Sequence, residues 1–178
     1  MREWVPVSSS AKGRLALRAL EEFGERGFDA VNVADIAAAA GVTTGSLYHH
    51  FGSKLGLYGF VRAEAERRLL DRMEGAAAAR ADDGPTAAIR SALLVGFEFA
   101  TSQRFVRLLG EPHPTRDLDP VADLLAGISD RGRTPIARML AAAWREALIA
   151  VANGVPAADA RAGVAALTID DAMLSRVP

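Results

Sequence analysis

The tightest constraint in the sequence is the stretch from Asn32 to Ser53, where helix start and stop signals crowd together. Asn32 followed three residues later by Asp35 approximates a capping box, and Val33, Ile36, Ala37 and Ala40 give a helix of about two turns that Gly41 ends. Thr43 or Thr44 caps a third short helix with Leu47 and Phe51 on one face, which Gly52 terminates before Ser53 caps a fourth. A segment so punctuated holds short helices joined by tight turns.

The flanks extend the pattern. Ser8 to Ser10 offer capping hydroxyls ahead of a first helix, in which Leu15, Leu17, Ala19, Leu20 and Phe23 recur at helical spacing until Gly27. The fourth helix is expected over Lys54–Met73, with Leu57, Phe60, Val61, Ala65, Leu69 and Leu70 as its apolar set. Pro85 opens a fifth that is apolar on most sides through Ala100, and a short element is expected over Phe105–Leu109. After the break GEPHPTRDLDP come a helix at Val121–Ile128, a long one from Pro135 to about Asn153, and a last from Pro156 to near Ser175. Alanine-rich, with 50% hydrophobic and only 6% aromatic residues and no strand pattern, the chain reads as all-α.

Other classes fall away. Without cysteine there is no disulfide framework, cysteine-ligated zinc, iron–sulfur cluster or thiol nucleophile. Arg138, Arg145 and Glu146 interrupt the longest apolar stretch, so no membrane span is expected, and no secretory or lipidation signal is read at the N-terminus. The expected compartment is the cytoplasm. GxSxG, GxxxxGK, HExxH and GxGxxG are all missing, which argues against an α-helical enzyme. A net charge of −1 makes no compositional case for nucleic acid, so any such reading rests on local pattern.

That pattern lies in VADIAAAAGVTTGSLYHHFGSK. Its spacing is that of a helix-turn-helix: small Ala37 where two helices touch, Gly41 in the turn, and Val42 and Leu47 locking the second helix onto the first. An ordinary helical hairpin with a solvated face shares this spacing. The literal residues go further: Leu15 through Phe23, Gly27-Phe28, Val33 to Ala37, Gly41-Val42, Gly45 to Tyr48, His50-Phe51 and Ser53-Lys54 closely resemble the DNA-binding domain of TetR (tetracycline-repressor-like) transcriptional regulators. The resemblance is dense over residues 12–57. It implies a three-helix DNA-binding domain at 1–53 and a helical ligand-binding and dimerisation domain at 54–178.

By position, the resemblance assigns Thr44, Gly45, Ser46, Tyr48 and His49 to bases or phosphates, and Tyr48, His50 and Lys54 to the DNA backbone. Gly45 permits close approach, Thr44 and Ser46 bond bases or phosphate, and Lys54 adds charge beside a helix N-terminus. For Tyr48, packing in the hairpin core is the alternative. His49 and His50 point about 100° apart on a helix and do not chelate one metal, and no metal or cofactor is expected. Two departures subtract polar contacts: Ala34 stands where the family often has a polar residue, and Leu55 where it often has an acidic one. Net positive charge is concentrated at the start of the first helix, in Arg2, Lys12, Arg14 and Arg18 against Glu3, so one module should bind weakly and a dimer spanning about one DNA turn, ~34 Å, is required.

The resemblance implies a homodimer built by the last two helices, for which Leu140, Ala143, Ala147, Val151 and Ala166 are candidates. The alternative is that Pro135–Asn153 is the core helix of a monomer. A cavity for a mostly apolar small molecule would draw walls from Leu69, Met73, Phe97, Phe99, Phe105, Met139 and Trp144, each equally a core residue. Glu98 reads as surface rather than ligand-binding, and Gly56 and Gly59 read as either a hinge or close packing. The expected function is a ligand-released repressor of a double-stranded, pseudo-palindromic operator. A DNA-binding dimer without small-molecule control is the alternative.

Overall fold

The computed structural model describes residues 9–115, 119–129 and 135–167. Among them are nine α-helices, one 3-10 turn at Ala81–Asp83 and no strand. The helices are α1 Ala11–Ala30, α2 Val33–Ala39, α3 Thr44–Phe51, α4 Lys54–Ala78, α5 Pro85–Ser102, α6 Val106–Gly110, α7 Pro120–Ile128, α8 Pro135–Ala152 and α9 Ala157–Ala165. The all-α expectation holds. The last helix stops at Ala165, where Ala166 turns back onto the carbonyls of the final turn; residues 168–175 of the expected helix, and Arg2, lie outside the described residues.

Local chemistry sets the N-terminal boundaries. The Ser10, Asn32, Thr43 and Ser53 side chains each accept a backbone N–H in the first turn of α1, α2, α3 and α4. α1 breaks at Gly27, whose φ of 77° no residue with a β-carbon adopts cheaply, and runs on for one irregular turn to Ala30. α4 outlasts its expected end at Met73 by five residues, because Gly75 is followed by four alanines, the best helix formers, and Ala77 is buried.

α4 is the axis of the molecule. It packs on α1 and α3 near its start and on α5, α6 and α7 farther along. A helix enclosed by so many neighbours buries more than one apolar stripe, and its buried set departs from the expected one. Phe60 and Leu70 are only half-buried, whereas Tyr58, Arg62, Glu64 and Glu66 are buried. Arg62, 1% exposed, donates to Glu66 Oε1 at 2.9 Å and to the Tyr58 hydroxyl at 2.7 Å. Glu64 accepts from Arg67 and Arg68.

Around this axis the body is closely packed. Gly96 of α5 admits the Met73 thioether of α4, and the Trp144 indole of α8 donates to the Leu93 carbonyl of α5 at 3.0 Å. α9 is tied to α5 by the Arg161–Glu98 ion pair at 2.8 Å, which places Glu98 on the surface as expected. Arg145, one of the charges that interrupt the apolar stretch of α8, turns inward. It donates to both carboxylate oxygens of Asp119, at 2.9 and 2.7 Å, and to the Leu109 carbonyl. Asp119 also caps α7 by accepting from Val121 and Ala122.

Gly56 is a site of close packing. A β-carbon there would overlap the Phe51 carbonyl at the end of α3, whereas one at Gly59 would meet nothing within 4 Å. Gly56→Ala should therefore lower stability by about 1 to 3 kcal/mol, and Gly59→Ala should leave it level or raise it by about 0.5 to 1 kcal/mol, as urea unfolding will measure.

Burial pushes the Asp119 carboxyl up, but the hydrogen bond and charge of Arg145 with the two backbone N–H groups outweigh it and hold the group below its ordinary range. A depressed carboxylate stabilises the fold above its unfolded value, about 3.9, and loses that contribution as pH falls through the folded value. Melting curves against pH should show Asp119→Asn furthest below the parent at neutral pH, the gap closing below about pH 4.

Candidate nucleic-acid interface

The turn between α2 and α3 is closed by its backbone. The Val42 N–H donates to the Ala37 carbonyl at 3.0 Å, and Gly41 sits at φ 64°, the left-handed conformation such a helix end requires. Ile36, Ala37 and Leu47 are buried beneath it, with Val42 half-buried alongside, so the locking residues stand where their spacing put them. Arg14 of α1 adds a clasp: its guanidinium donates to the Ala40 carbonyl at the end of α2, 2.9 Å, and to the Ser9 carbonyl at 2.7 Å.

With Leu47 the one fully buried side chain of α3, the rest of this helix faces outward or sideways. Thr44, Gly45, Tyr48 and His49 are exposed, and Ser46 and His50 half-buried. Tyr48 is 49% exposed, which removes it from the hairpin core. The rings of His49 and His50 meet edge-on at 5.2 Å, and Phe51 packs against Phe60 of α4 at 5.3 Å. Thr43 caps the helix through Ser46 N–H, so the polar residues of the first turn of α3 sit on a fixed terminus.

The cations near this surface are engaged within the chain. Lys12 lies over the Phe60 and Phe51 rings, 5.0 and 5.8 Å from their centres. Arg18 pairs with Glu21. Lys54 lies 4.6 Å from the centre of the Phe28 ring, its ammonium 3.4 Å from the Asp29 carbonyl, pinning the start of α4 to the end of α1. Position in the sequence presents Arg14 and Lys54 as free charge; the aromatic and carbonyl partners that hold them are distant along the chain.

Candidate residues of the helical body sort differently. Leu69, Met73, Phe97, Phe99, Phe105 and Trp144 are all buried in the core. Met139 is not a wall beside them, being 70% exposed on the outer face of α8. Of the interface candidates, Leu140 is corrected to the chain's own core at 9% exposure, because α8 turns Ala137, Leu140, Ala141, Trp144 and Leu148 inward. Ala143, Ala147 and Val151 are half-buried, Ala147 and Val151 against that core, and Ala166 is exposed. A cavity of about 430 Å³ opens elsewhere, between the end of α4, the 3-10 turn, the start of α5 and the end of α7. Its walls include Ala77, Pro85, Ala88 and Ile128, with Ser129 as a polar group. No sequence signal marked it, since alanines carry no pattern of their own. Among the described residues no group of three or more His, Asp or Glu is placed to hold a metal ion, and no helix is long and apolar enough to cross a membrane.

Residues 17–59 match the family of bacterial regulatory proteins, tetR family. Over 46 residues, 26% of this chain, the sequence is 52% identical to the HTH-type transcriptional repressor KstR2 of Mycobacterium tuberculosis strain H37Rv, covering 23% of that protein. Over 32 residues, 18% of this chain and 16% of the relative, it is 66% identical to KstR2 of Rhodococcus jostii strain RHA1. The chain thus matches less than a quarter of the length of these curated relatives. The fold is like that of a TetR-family transcriptional regulator from Rhodococcus sp., with a TM-score of 0.56 at 16% identity over 93% of this chain and 98% of that one. It is also like PfmR, a TetR-family transcriptional regulator from Thermus thermophilus, with a TM-score of 0.55 at 20% identity over 96% and 98%. Residues 17–59 are thus similar to the helix-turn-helix segment of tetR-family regulatory proteins.

Arg14→Met keeps the packing length while removing the clasp. It should cost about 1.5 kcal/mol and speed hydrogen exchange at the Gly41 and Val42 amides ahead of those of α5.

Proposed function

We propose that this chain, similar over residues 17–59 to the tetR family, is a ligand-responsive transcriptional repressor that binds a pseudo-palindromic operator as a homodimer. The observation that carries this reading is the display on α3: Thr44, Gly45, Tyr48 and His49 exposed in a row on a helix anchored by one buried leucine. Such a helix fits the major groove, with Thr44 and Ser46 able to bond base edges, Tyr48 and His50 phosphate, and His49 either. Lys54 serves the backbone by swinging from Phe28 to a phosphate at the N-terminus of α4.

Two copies are needed because the charge each unit offers is small. The outer face of α8, where Met139 and Ala142 are exposed and Ala143 half-buried, supports an isologous helix-to-helix contact continued by Ala166 of α9. Ala147 and Val151 join it only with the edge they leave uncovered. The inducer is a mostly apolar small molecule, and the alanine-lined cavity at the outer end of α4 supports that chemistry. By linkage, a ligand that prefers a spacing of the two reading units unfit for DNA weakens operator binding, typically by about 5- to 150-fold. The full burial of Leu69, Met73, Phe97 and Trp144 favours a second reading, a DNA-binding dimer whose body holds no ligand.

Selection from random duplexes should enrich an inverted repeat with half-sites about one helical turn apart. On that duplex Tyr48→Phe should weaken binding by about 1 kcal/mol for the phosphate hydrogen bond it removes, without changing base preference or, since a phenol neutralises no phosphate, the salt slope. Met139→Glu, on an exposed position where folding is not at stake, should shift light scattering from dimer to monomer. Enrichment of no symmetric motif would defeat the proposal, and a thermal-shift screen that finds a stabilising compound which also releases the duplex separates the two readings.

A further inference from the structure

α6 is held from both sides. Toward the body, a methyl group on Gly110 would lie 2.9 Å from Ile149 of α8, and Arg107 donates to the Ala152 carbonyl and the Asn153 side chain at the end of α8, 3.2 and 3.0 Å. Toward the reading unit, Gly24 of α1 lies so close to the Arg104 carbonyl that no β-carbon fits, and Glu111 reaches across to the kink in α1. The kink at Gly27 leaves the Phe28 N–H free of the helix ladder, and it donates to Glu111 Oε2 at 3.3 Å. The same carboxylate lies 3.5 Å from Arg107. One polar chain therefore runs from the end of α8 through Arg107 and Glu111 to the backbone of α1, just ahead of α2 and α3.

We infer that Glu111 is a positioning residue for operator recognition: its carboxylate, oriented by Arg107 from the end of α8, fixes the angle of the helix-turn-helix unit on the helical body. Gly27 is required twice over, for its left-handed backbone and because any side chain there would displace the carboxylate. The neighbouring Arg104–Glu25 pair is exposed on both sides and holds this joint only weakly. The inference rests on the dimer proposed above, because in a dimer carried by α8 this angle sets the distance between two reading helices. Glu111 touches no base; it acts by keeping the pair in register with one half-site spacing.

The test begins with a measurement that needs neither DNA nor dimer. The chain has no cysteine, so Ala38→Cys on α2 and Arg90→Cys on α5, both exposed, place two spin labels unambiguously. Labelled chains diluted in unlabelled protein should give a narrow distance distribution, a broad one in Glu111→Ala, and a narrow one again in Glu111→Gln, whose amide oxygen still accepts the Phe28 N–H. On selected duplexes, Glu111→Ala should bind the preferred spacing about tenfold more weakly, the competent fraction having fallen to about a tenth, and should accept spacings one base pair longer or shorter. Its affinity for an isolated half-site should stay within about twofold of the parent. Arg107→Met, which breaks the chain from the other end, should relax the spacing in the same way. An unchanged distance distribution in Glu111→Ala overturns the inference, as does an equal loss on half-site and full site, or unaltered spacing in Arg107→Met. A parent that selects no inverted repeat defeats the dimer, while the distance distributions still decide on Glu111.

Discussion

The buried guanidinium of Arg62 is the interaction on which the arrangement of the other helices depends. A charge withdrawn from water to 1% exposure is tolerable only where its partners are in place, and here they are Glu66 one turn ahead and Tyr58 one turn behind. Because all three lie on α4, the ion pair itself adds no long-range tie; what it does is dictate the surroundings. Tyr58 packs edge-on against Phe23 and Phe28 of α1 at 5.1 and 5.0 Å and faces the His113 ring at 6.0 Å. Burial pushes its hydroxyl up against the opposing pull of Arg62, so it stays a neutral donor and acceptor inside the joint. Rotating α4 would expose the cation or strand it among apolar groups, and the helix that both units share is thereby indexed to one orientation.

From that fixed axis follows the character of the reading unit. Its cations do structural work: Lys12 and Lys54 over aromatic rings, Arg14 on the end of α2, Arg18 on Glu21. What is left outward on α3 is polar and includes neither lysine nor arginine, which suits discrimination between base edges better than general attraction to phosphate. A unit of this kind depends on how accurately it is held, and the glycine-lined contacts of α1 with α6 supply that accuracy.

Much of this was legible in the sequence, and what was not has a common cause. Helix boundaries from Asn32 to Ser53 follow from capping side chains and glycines, which act within a few residues of themselves, and the placement of Ala37, Val42 and Leu47 follows from helical period. The inward turn of Arg145, the corner of α7 and the engagement of Arg14 and Lys54 depend on partners at least 25 residues away. No local pattern encodes such a partner. Burial of Tyr58, Arg62 and Glu66 was readable in principle, as residues spaced four apart on one face of α4, but charge on a helix ordinarily signals solvent. Met139 and Leu140 are adjacent apolar residues with opposite fates, and only the direction from which α5, α6 and α7 approach α8 decides between them.

The burial of Trp144 gives the molecule an internal reporter. Its indole is fully enclosed, its N–H bound to Leu93, at the seam where α8 meets α5. An indole in dry surroundings emits at shorter wavelength than one in water, and the emission moves red when solvent reaches the ring. With the chain's other tryptophan, Trp4, replaced by phenylalanine, the signal belongs to this seam alone. Any event that parts these two helices, whether a guest entering the body or the first loosening before unfolding, is then written into the chain's own fluorescence, with no dye attached.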